Sequence, residues 1–170
     1  MVLIRPEEPR DRGVALEIER LAFGSEEESD IVVAVRDDEG SFALVAEEAG
    51  DVIGHVQFSR AWIGDVAVLA LGPIGVLPER QSRGTGSKLI RAWLEDARAR
   101  GEVAVILLGD PDFYRRFGFE PALALGLSNP FVGVRPDGFE IAAEHFMVAM
   151  LEDVPIAGEV RWHPAFGEPV

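Results

Sequence analysis

Cysteine is absent from this 170-residue chain. That excludes a disulfide framework, a thiol nucleophile and thiolate metal sites, and makes an intracellular, cytoplasmic setting the simpler expectation. Tyrosine occurs once, at Tyr114, and lysine once, at Lys88. Basic charge is scarce: 16 Lys and Arg against 30 Asp and Glu leave a formal net charge of -14. Such a balance opposes unspecific attraction to nucleic acid or an anionic membrane and suits a cationic partner. No apolar run approaches the roughly 18 residues of a membrane span, and Arg5, Glu7, Glu8 and Arg10 interrupt any signal-peptide-like stretch near Met1. His145 and His163 lie far apart without partner ligands nearby, so no metal motif is read.

What is present is enough for a core. At 48% hydrophobic composition the chain suits one compact domain over residues 1–170, with no internal repeat or low-complexity tract. Val2-Leu3-Ile4 reads as a strand ended by Pro6, and Arg10 to Ala22 as a helix with Val14, Ile18, Leu21 and Ala22 on one face. Ser25 and Glu28 form a capping-box pattern before a short helix that carries Ile31, Val32 and Val35 and ends near Gly40. Phe42 to Glu47 and Val52 to Ile63 are β-rich runs joined by a loose turn at Ala49-Gly50-Asp51. Val66 to Val76 is a longer run containing Gly72, Pro73 and Gly75; since proline cannot donate to a ladder, this strand must bulge or part from a neighbour.

Ser87 to Arg100 places Leu89, Ile90, Trp93, Leu94 and Ala97 on one helical stripe closed by Gly101. Val103 to Leu108 reads as a buried strand parallel to the previous one, and Asp112 to Phe117 as a single-turn helix. Phe146 to Leu151 and Val160 to Trp162 read as closing strands. The Pro- and Gly-rich stretch from Ala122 to Gly138, including Arg135-Pro136-Asp137-Gly138, is a long loop of the kind that faces a substrate.

The most informative segment is Gln81-Ser82-Arg83-Gly84-Thr85-Gly86-Ser87, between an apolar strand and an amphipathic helix. A glycine-rich turn at a helix start presents unpaired backbone N–H groups and the positive end of the helix dipole, which together bind phosphate. Arg80, Arg83, Lys88 and Arg91 reverse the local sign of charge around it, although without the turn they would read as ordinary solvated side chains. The spacing is wrong for a nucleotide-binding P-loop, and a dinucleotide fingerprint would need glycine at Leu89.

Through Val76-Leu77-Pro78-Glu79-Arg80-Gln81-Ser82-Arg83-Gly84-Thr85-Gly86 the chain resembles the GNAT superfamily of N-acetyltransferases, whose strand-turn-helix motif carries Gln/Arg-x-x-Gly-x-Gly/Ala. A second block, Phe113 to Phe119, is similar to the tyrosine plus Gly-Phe segment that closes the family's core. Leu107 stands where many members have asparagine, with Gly109-Asp110-Pro111 after it, as in a branch of small, mostly uncharacterised bacterial members. The resemblance implies an α/β (α+β) fold: a mixed, mostly antiparallel twisted sheet of about seven strands flanked by helices, with a splay between the two central parallel strands. It also implies acetyl-CoA as co-substrate, with no metal.

On that resemblance, N–H groups of Ser82, Arg83, Gly84, Thr85, Gly86 and Ser87 would hold the pyrophosphate, with Arg83 and Lys88 adding charge and Gln81 counted with them as cofactor-binding. The pantetheine arm would run beside Ile74-Gly75-Val76, where a backbone N–H near Ile74 or Gly75 could stabilise the developing oxyanion. Tyr114 is the implied general acid for the departing thiolate; its other reading is an aromatic closing the core with Phe113 and Phe117. The base is harder to assign. His55, Asp65 and Glu26 to Glu28 are weak candidates, His55 suiting a structural histidine on an alternating strand and the acids suiting ordinary helix N-terminal charge.

The expected function is acetyl transfer from acetyl-CoA, by direct attack, to a primary amine of a small molecule, peptide or protein, with a cationic acceptor favoured. The alternative is a catalytically silent acyl-CoA sensor or interaction module, which shares the binding expectation and lacks turnover. A homodimer is open, because strand-like segments around Val160 could pair between chains.

Overall fold

The computed structural model describes residues 1–131, 133–134 and 140–167. The turn expected at Arg135-Pro136-Asp137-Gly138 lies outside them. The chain forms two compact units, residues 1–59 with 71–97 and residues 60–70 with 98–170.

The first unit begins with β1 (Val2–Pro6), a 3-10 turn at Pro9–Asp11, α1 (Arg12–Phe23) and α2 (Glu27–Val35). It continues with β2 (Phe42–Glu48), most of β3 (Asp51–Ile63), the last six residues of β4 (Val66–Val76) and all but the last two residues of α3 (Thr85–Ala99). β1 pairs antiparallel with β2 from Val2↔Glu48 to Pro6↔Leu44, and β2 with β3 from Phe42↔Phe58 to Glu48↔Asp51. The β2–β3 turn is tighter than the sequence suggests. Ala49 (φ 53°) and Gly50 (φ 87°) form a two-residue hairpin loop with both central residues at positive φ, the form whose twist matches the flanking strands.

Every apolar position expected on the α3 stripe is buried, with Trp93 wholly enclosed beside Phe58, which stacks on Phe42 at 4.0 Å. An aromatic group of this size removes about 150–250 Å² from water per ring, so it anchors the unit's core. Arg5 Nη1 donates to Asp11 at 2.7 Å and its Nε to Glu47 at 2.8 Å, tying β1 to β2 and to the start of α1.

Two local expectations are corrected. The buried face of α1 is Ala15, Ile18 and Glu19, whereas Val14 and Leu21 are exposed: the helix is rotated from the face read off its larger apolar side chains. Ser25 is not the α2 cap. Glu26 holds that position without a side-chain bond, while Ser25 Oγ donates to the Glu28 carboxylate at 2.8 Å, and α2 stops at Val35.

The second unit holds the end of β3, the start of β4, β5 (Ala104–Leu108), α4 (Pro111–Tyr114) and a 3-10 turn at Arg115–Phe117. Short strands follow: β6 (Glu120–Pro121), β7 (Leu127–Ser128), β8 (Gly133–Val134) and β9 (Glu140–Ile141), then β10 (Phe146–Met150) and β11 (Gly158–Arg161). β4 and β5 run parallel at Leu69↔Val105 and Ala70↔Ile106, and β4 continues six residues past this ladder through a cis Gly72–Pro73 bond. β10 covers β5 antiparallel along its full length, and β6 pairs with β10. β11 pairs antiparallel with the end of β3 and parallel with β7. The core here packs Ile63, Val68, Ile106, Leu127, Phe146 and Val160.

The architecture is therefore mixed α/β with a mostly antiparallel sheet, as the sequence predicts. The segment expected as a long loop from Ala122 is partly ordered: a 3-10 turn at Ala122–Leu125 and β7 precede the residues outside the description.

Candidate active site

Past Val76 the first unit makes a turn fixed at both ends. Leu77 N donates to Ile53 O at 2.9 Å, and Gln81 Nε2 donates back to Val76 O at 3.0 Å, after a 3-10 turn at Pro78–Arg80. Ser82 (φ 62°) and Gly84 (φ 82°) take left-handed conformations, which aim successive amides to one side in the manner of an anion-binding nest. Lys88 N donates to Gly84 O at 3.0 Å, one helical turn in, so the amides from Gly84 to Ser87 have no acceptor inside the helix. A Cβ added at Gly84 or Gly86 would meet no atom within 4 Å, which leaves open space over these donors.

Of the four cations expected around the turn, Arg80 is held in an ion pair by Glu48. Arg83 and Lys88, with Thr85, line a recess whose other walls include Val2, Ile53 and Arg80. Positive charge therefore faces the recess from α3 and from the residue before Gly84.

Beneath the end of β4 lies a group that sequence reasoning did not select. Glu19 of α1 is 0% exposed, and its Oε1 sits 2.6 Å from Nδ1 of His55, which is equally enclosed on β3. His55 Nε2 faces Glu7 Oε1 at 3.6 Å, and Glu7 faces Arg36 Nη2 at 3.8 Å. Loss of hydration raises the Glu19 pKa above the ordinary carboxylate value, and the His55 contact opposes that rise. Neither Glu19 Oε2 nor His55 Nε2 has a hydrogen-bond partner. Gly75 makes the arrangement possible: a Cβ there would stand 2.7 Å from Glu19 Oε2 and 3.2 Å from Ala22 Cβ. The available signal was Glu19 falling on the Ala15, Ile18, Ala22 face, four residues after Ala15, where a solvated acid has no place.

The other base candidates are ordinary surface groups. Asp65 is exposed in the β3–β4 turn, Glu26 lies 3.8 Å from Arg20 and Glu28 accepts from Ser25.

In the second unit, Asp110 caps α4 by accepting from Asp112 N at 2.9 Å, and Gly109 N donates to His145 O at 2.9 Å. These bonds set Tyr114 with its ring edge-on to Phe113 at 5.0 Å and Phe119 at 5.8 Å. A Cβ at Gly109 would overlap Tyr114 Cε2 and stand 2.9 Å from Cδ2, so only glycine admits the ring. Burial pushes the phenol up to about 12. His163 accepts from Ala165 N at 3.0 Å as a cap, and among the described residues no group of three or more His, Cys, Asp or Glu could hold a metal ion. No helix among them is long and apolar enough to cross a membrane.

Fold and turn together define a mixed α/β protein with unpaired helix-start amides after a strand that outruns its parallel ladder. The chain belongs to the GNAT superfamily of N-acetyltransferases. The acetyltransferase (GNAT) domain family matches residues 39–121. The Escherichia coli K12 protein YhbS, described as an uncharacterized N-acetyltransferase, is 34% identical over 125 residues, 71% of this chain and 75% of that protein. YjhQ of the same organism, described likewise, is 38% identical over 112 residues, and the match spans 62% of each protein's length. Among solved structures, E. coli YhbS in complex with CoA superposes with a TM-score of 0.86 at 30% identity, covering 98% of this chain and 92% of that one. A GNAT family acetyltransferase from Brucella melitensis in complex with acetyl-CoA gives 0.77 at 32% identity, covering 98% of both.

Proposed function

We propose that this protein transfers the acetyl group of acetyl-CoA to a primary amine of a small molecule, peptide or protein by direct attack, and that the amine-bearing acceptor is cationic. The observation that carries this reading is the set of helix-start amides from Gly84 to Ser87, which have no acceptor inside the helix, beside Arg83 and Lys88. Similar proteins of the same family bind CoA and acetyl-CoA. The cofactor supplies an activated thioester carbonyl and a thiolate leaving group.

Each residue has a physical task. The amides of Ser82, Arg83, Gly84, Thr85, Gly86 and Ser87 hold the diphosphate, with Gln81 bracing the turn against Val76. The backbone of Ile74, Gly75 and Val76 aligns the pantetheine arm, and an N–H of Ile74 or Gly75 stabilises negative charge developing on the carbonyl oxygen. Tyr114 donates a proton to the departing sulfur. Its raised pKa keeps the phenol protonated throughout the working pH range, so the donor is always loaded. Excess acidic charge attracts a cationic acceptor and repels competing polyanions.

Calorimetric titration with CoA and acetyl-CoA, followed by thiol release against a panel of di- and polyamines, amino sugars and peptide N-termini, tests the reading. Binding of both with turnover of an amine is the expected result. Binding without turnover of any amine would make the chain an acyl-CoA sensor, and no binding would remove the acetyl-transfer reading altogether.

A further inference from the structure

We propose that Glu19 is the catalytic base of this reaction, taking the proton shed by the attacking amine while His55 positions its carboxylate. The inference rests on the acetyl-transfer reading and concerns residues of the first unit alone.

The first ground is an unfilled bond. Removing a carboxylate from water costs several kcal/mol unless partners replace the lost hydration, and Glu19 is replaced on one side only. Oε1 has His55 at 2.6 Å, while Oε2 is buried with no partner. Buried side-chain oxygens are seldom left this way without a functional reason or an absent partner. The second ground is direction. The backbone that Oε2 faces is Gly75, the residue assigned to the thioester carbonyl, and the missing Cβ at that residue is what lets Oε2 approach. A structural dyad would have no need of glycine on its open side.

The third ground is the charge arrangement behind it. Around Glu19 stand His55 from β3 and Glu28 from α2, with Glu7 beyond the imidazole and Arg36 against Glu7. Arg36 stands 3.8 Å from Glu7, so the acid behind the imidazole is accompanied by a cation. Glu28 and the lack of water both favour the protonated form of Glu19, which makes the carboxylate a stronger base than a surface acid. From β4, the neighbours of Gly75 are Ile74 and Val76, and neither titrates.

The step balances. The amine nitrogen forms the C–N bond to the acetyl carbonyl carbon, its surplus proton passes to Glu19 Oε2, and the C–S bond breaks with its electron pair on sulfur. Sulfur then takes a proton and leaves as the CoA thiol. Glu19 returns its proton to solvent before the next turnover.

The test uses the whole protein with histidine 13C-labelled at Cε1 alone, which gives one signal each from His55, His145 and His163. Saturation with acetyl-CoA should move the His55 signal, and CoA lacking the acetyl group should move it less. In Glu19→Gln the difference between the two ligands should vanish while both still bind. With an accepted amine, Glu19→Gln should lower kcat by about 10²–10⁴-fold and abolish the acidic limb of the pH–rate profile, and Glu19→Asp should restore part of the rate. Binding of acetyl-CoA with an unmoved His55 signal in the wild type would overturn the proposal, whether or not the variants fold. A Glu19→Gln protein with unchanged kcat and pH profile would overturn it too. Failure of acetyl-CoA to bind would instead overturn the acetyl-transfer reading on which it rests.

Discussion

The two units each shield a titratable group, Glu19 fully and Tyr114 in part, and they do it in opposite ways. In the first unit Glu19 is an acid with a charged neighbour: His55 touches one oxygen, and Glu7 and Arg36 stand behind it. In the second, Tyr114 is surrounded by Phe113, Phe117 and Phe119, with burial the sole cause of its raised pKa. Both environments favour the protonated form, yet one does so beside charged partners and the other beside aromatic rings alone. On the proposed reading, the first suits a group that takes up a proton from the amine and the second a group that holds its proton until the sulfur departs.

The sharpest way to break this contrast is Tyr114→Phe. The ring contacts survive and only the hydroxyl is lost, so kcat should fall by about 10²–10⁴-fold with CoA affinity and melting temperature nearly unchanged. Steady-state kinetics beside calorimetry separates these quantities, and an unchanged kcat would reduce Tyr114 to a core aromatic. Gly109→Ala attacks the same ring from behind. The added Cβ overlaps Tyr114 Cε2, so denaturant unfolding should register a loss of about 1–3 kcal/mol, as for an overpacked site, together with reduced turnover.

A third experiment sets two acids of the first unit against each other. The Asp11 pKa lies below the ordinary value, chiefly through the Arg5 side-chain bond, so its contribution is present above the unfolded pKa of about 3.9 and is lost as pH falls toward the folded value. Glu19 has the reverse sign. Between the unfolded pKa of about 4.3 and its higher folded value the native state holds a proton that the unfolded chain has released, so stability declines as pH rises through that window. Glu19→Gln should flatten the decline on the alkaline side, and Asp11→Asn should flatten the loss on the acid side. Melting curves across pH 2 to about 9 read both. The smallest expected effect is at Ala49, whose φ of 53° costs a residue with a Cβ about 1 kcal/mol. Ala49→Gly should therefore stabilise slightly or change nothing, and a marked destabilisation would contradict the hairpin geometry.

Local patterns made much of this molecule legible. The α3 stripe, the strand before it and the glycine turn announce themselves between Val66 and Ala99, because period, cap and turn chemistry all agree there. What sequence reasoning missed depends on distant partners. Glu19 reads as one more acid on an acidic helix until His55, 36 residues later, and Gly75, beyond that, are brought to its two oxygens. The α1 face was misread for a related reason: Val14 and Leu21 outweigh Ala15 in hydrophobicity, whereas close packing selects the smaller side chain. Gly109, two residues after the Leu107 that stands where many members have asparagine, has a physical reason to be glycine in the closeness of the Tyr114 ring.

Because Tyr114 is the chain's lone phenol, the molecule carries a built-in optical reporter. Ultraviolet absorbance of phenolate in this protein monitors a single address. If the fold persists in strong alkali, the absorbance step arrives near 12; if the aromatic enclosure opens first, the step slides back toward about 10, the value for a phenol in water. One spectrophotometric curve then records how firmly that enclosure is shut, without label, substrate or substitution.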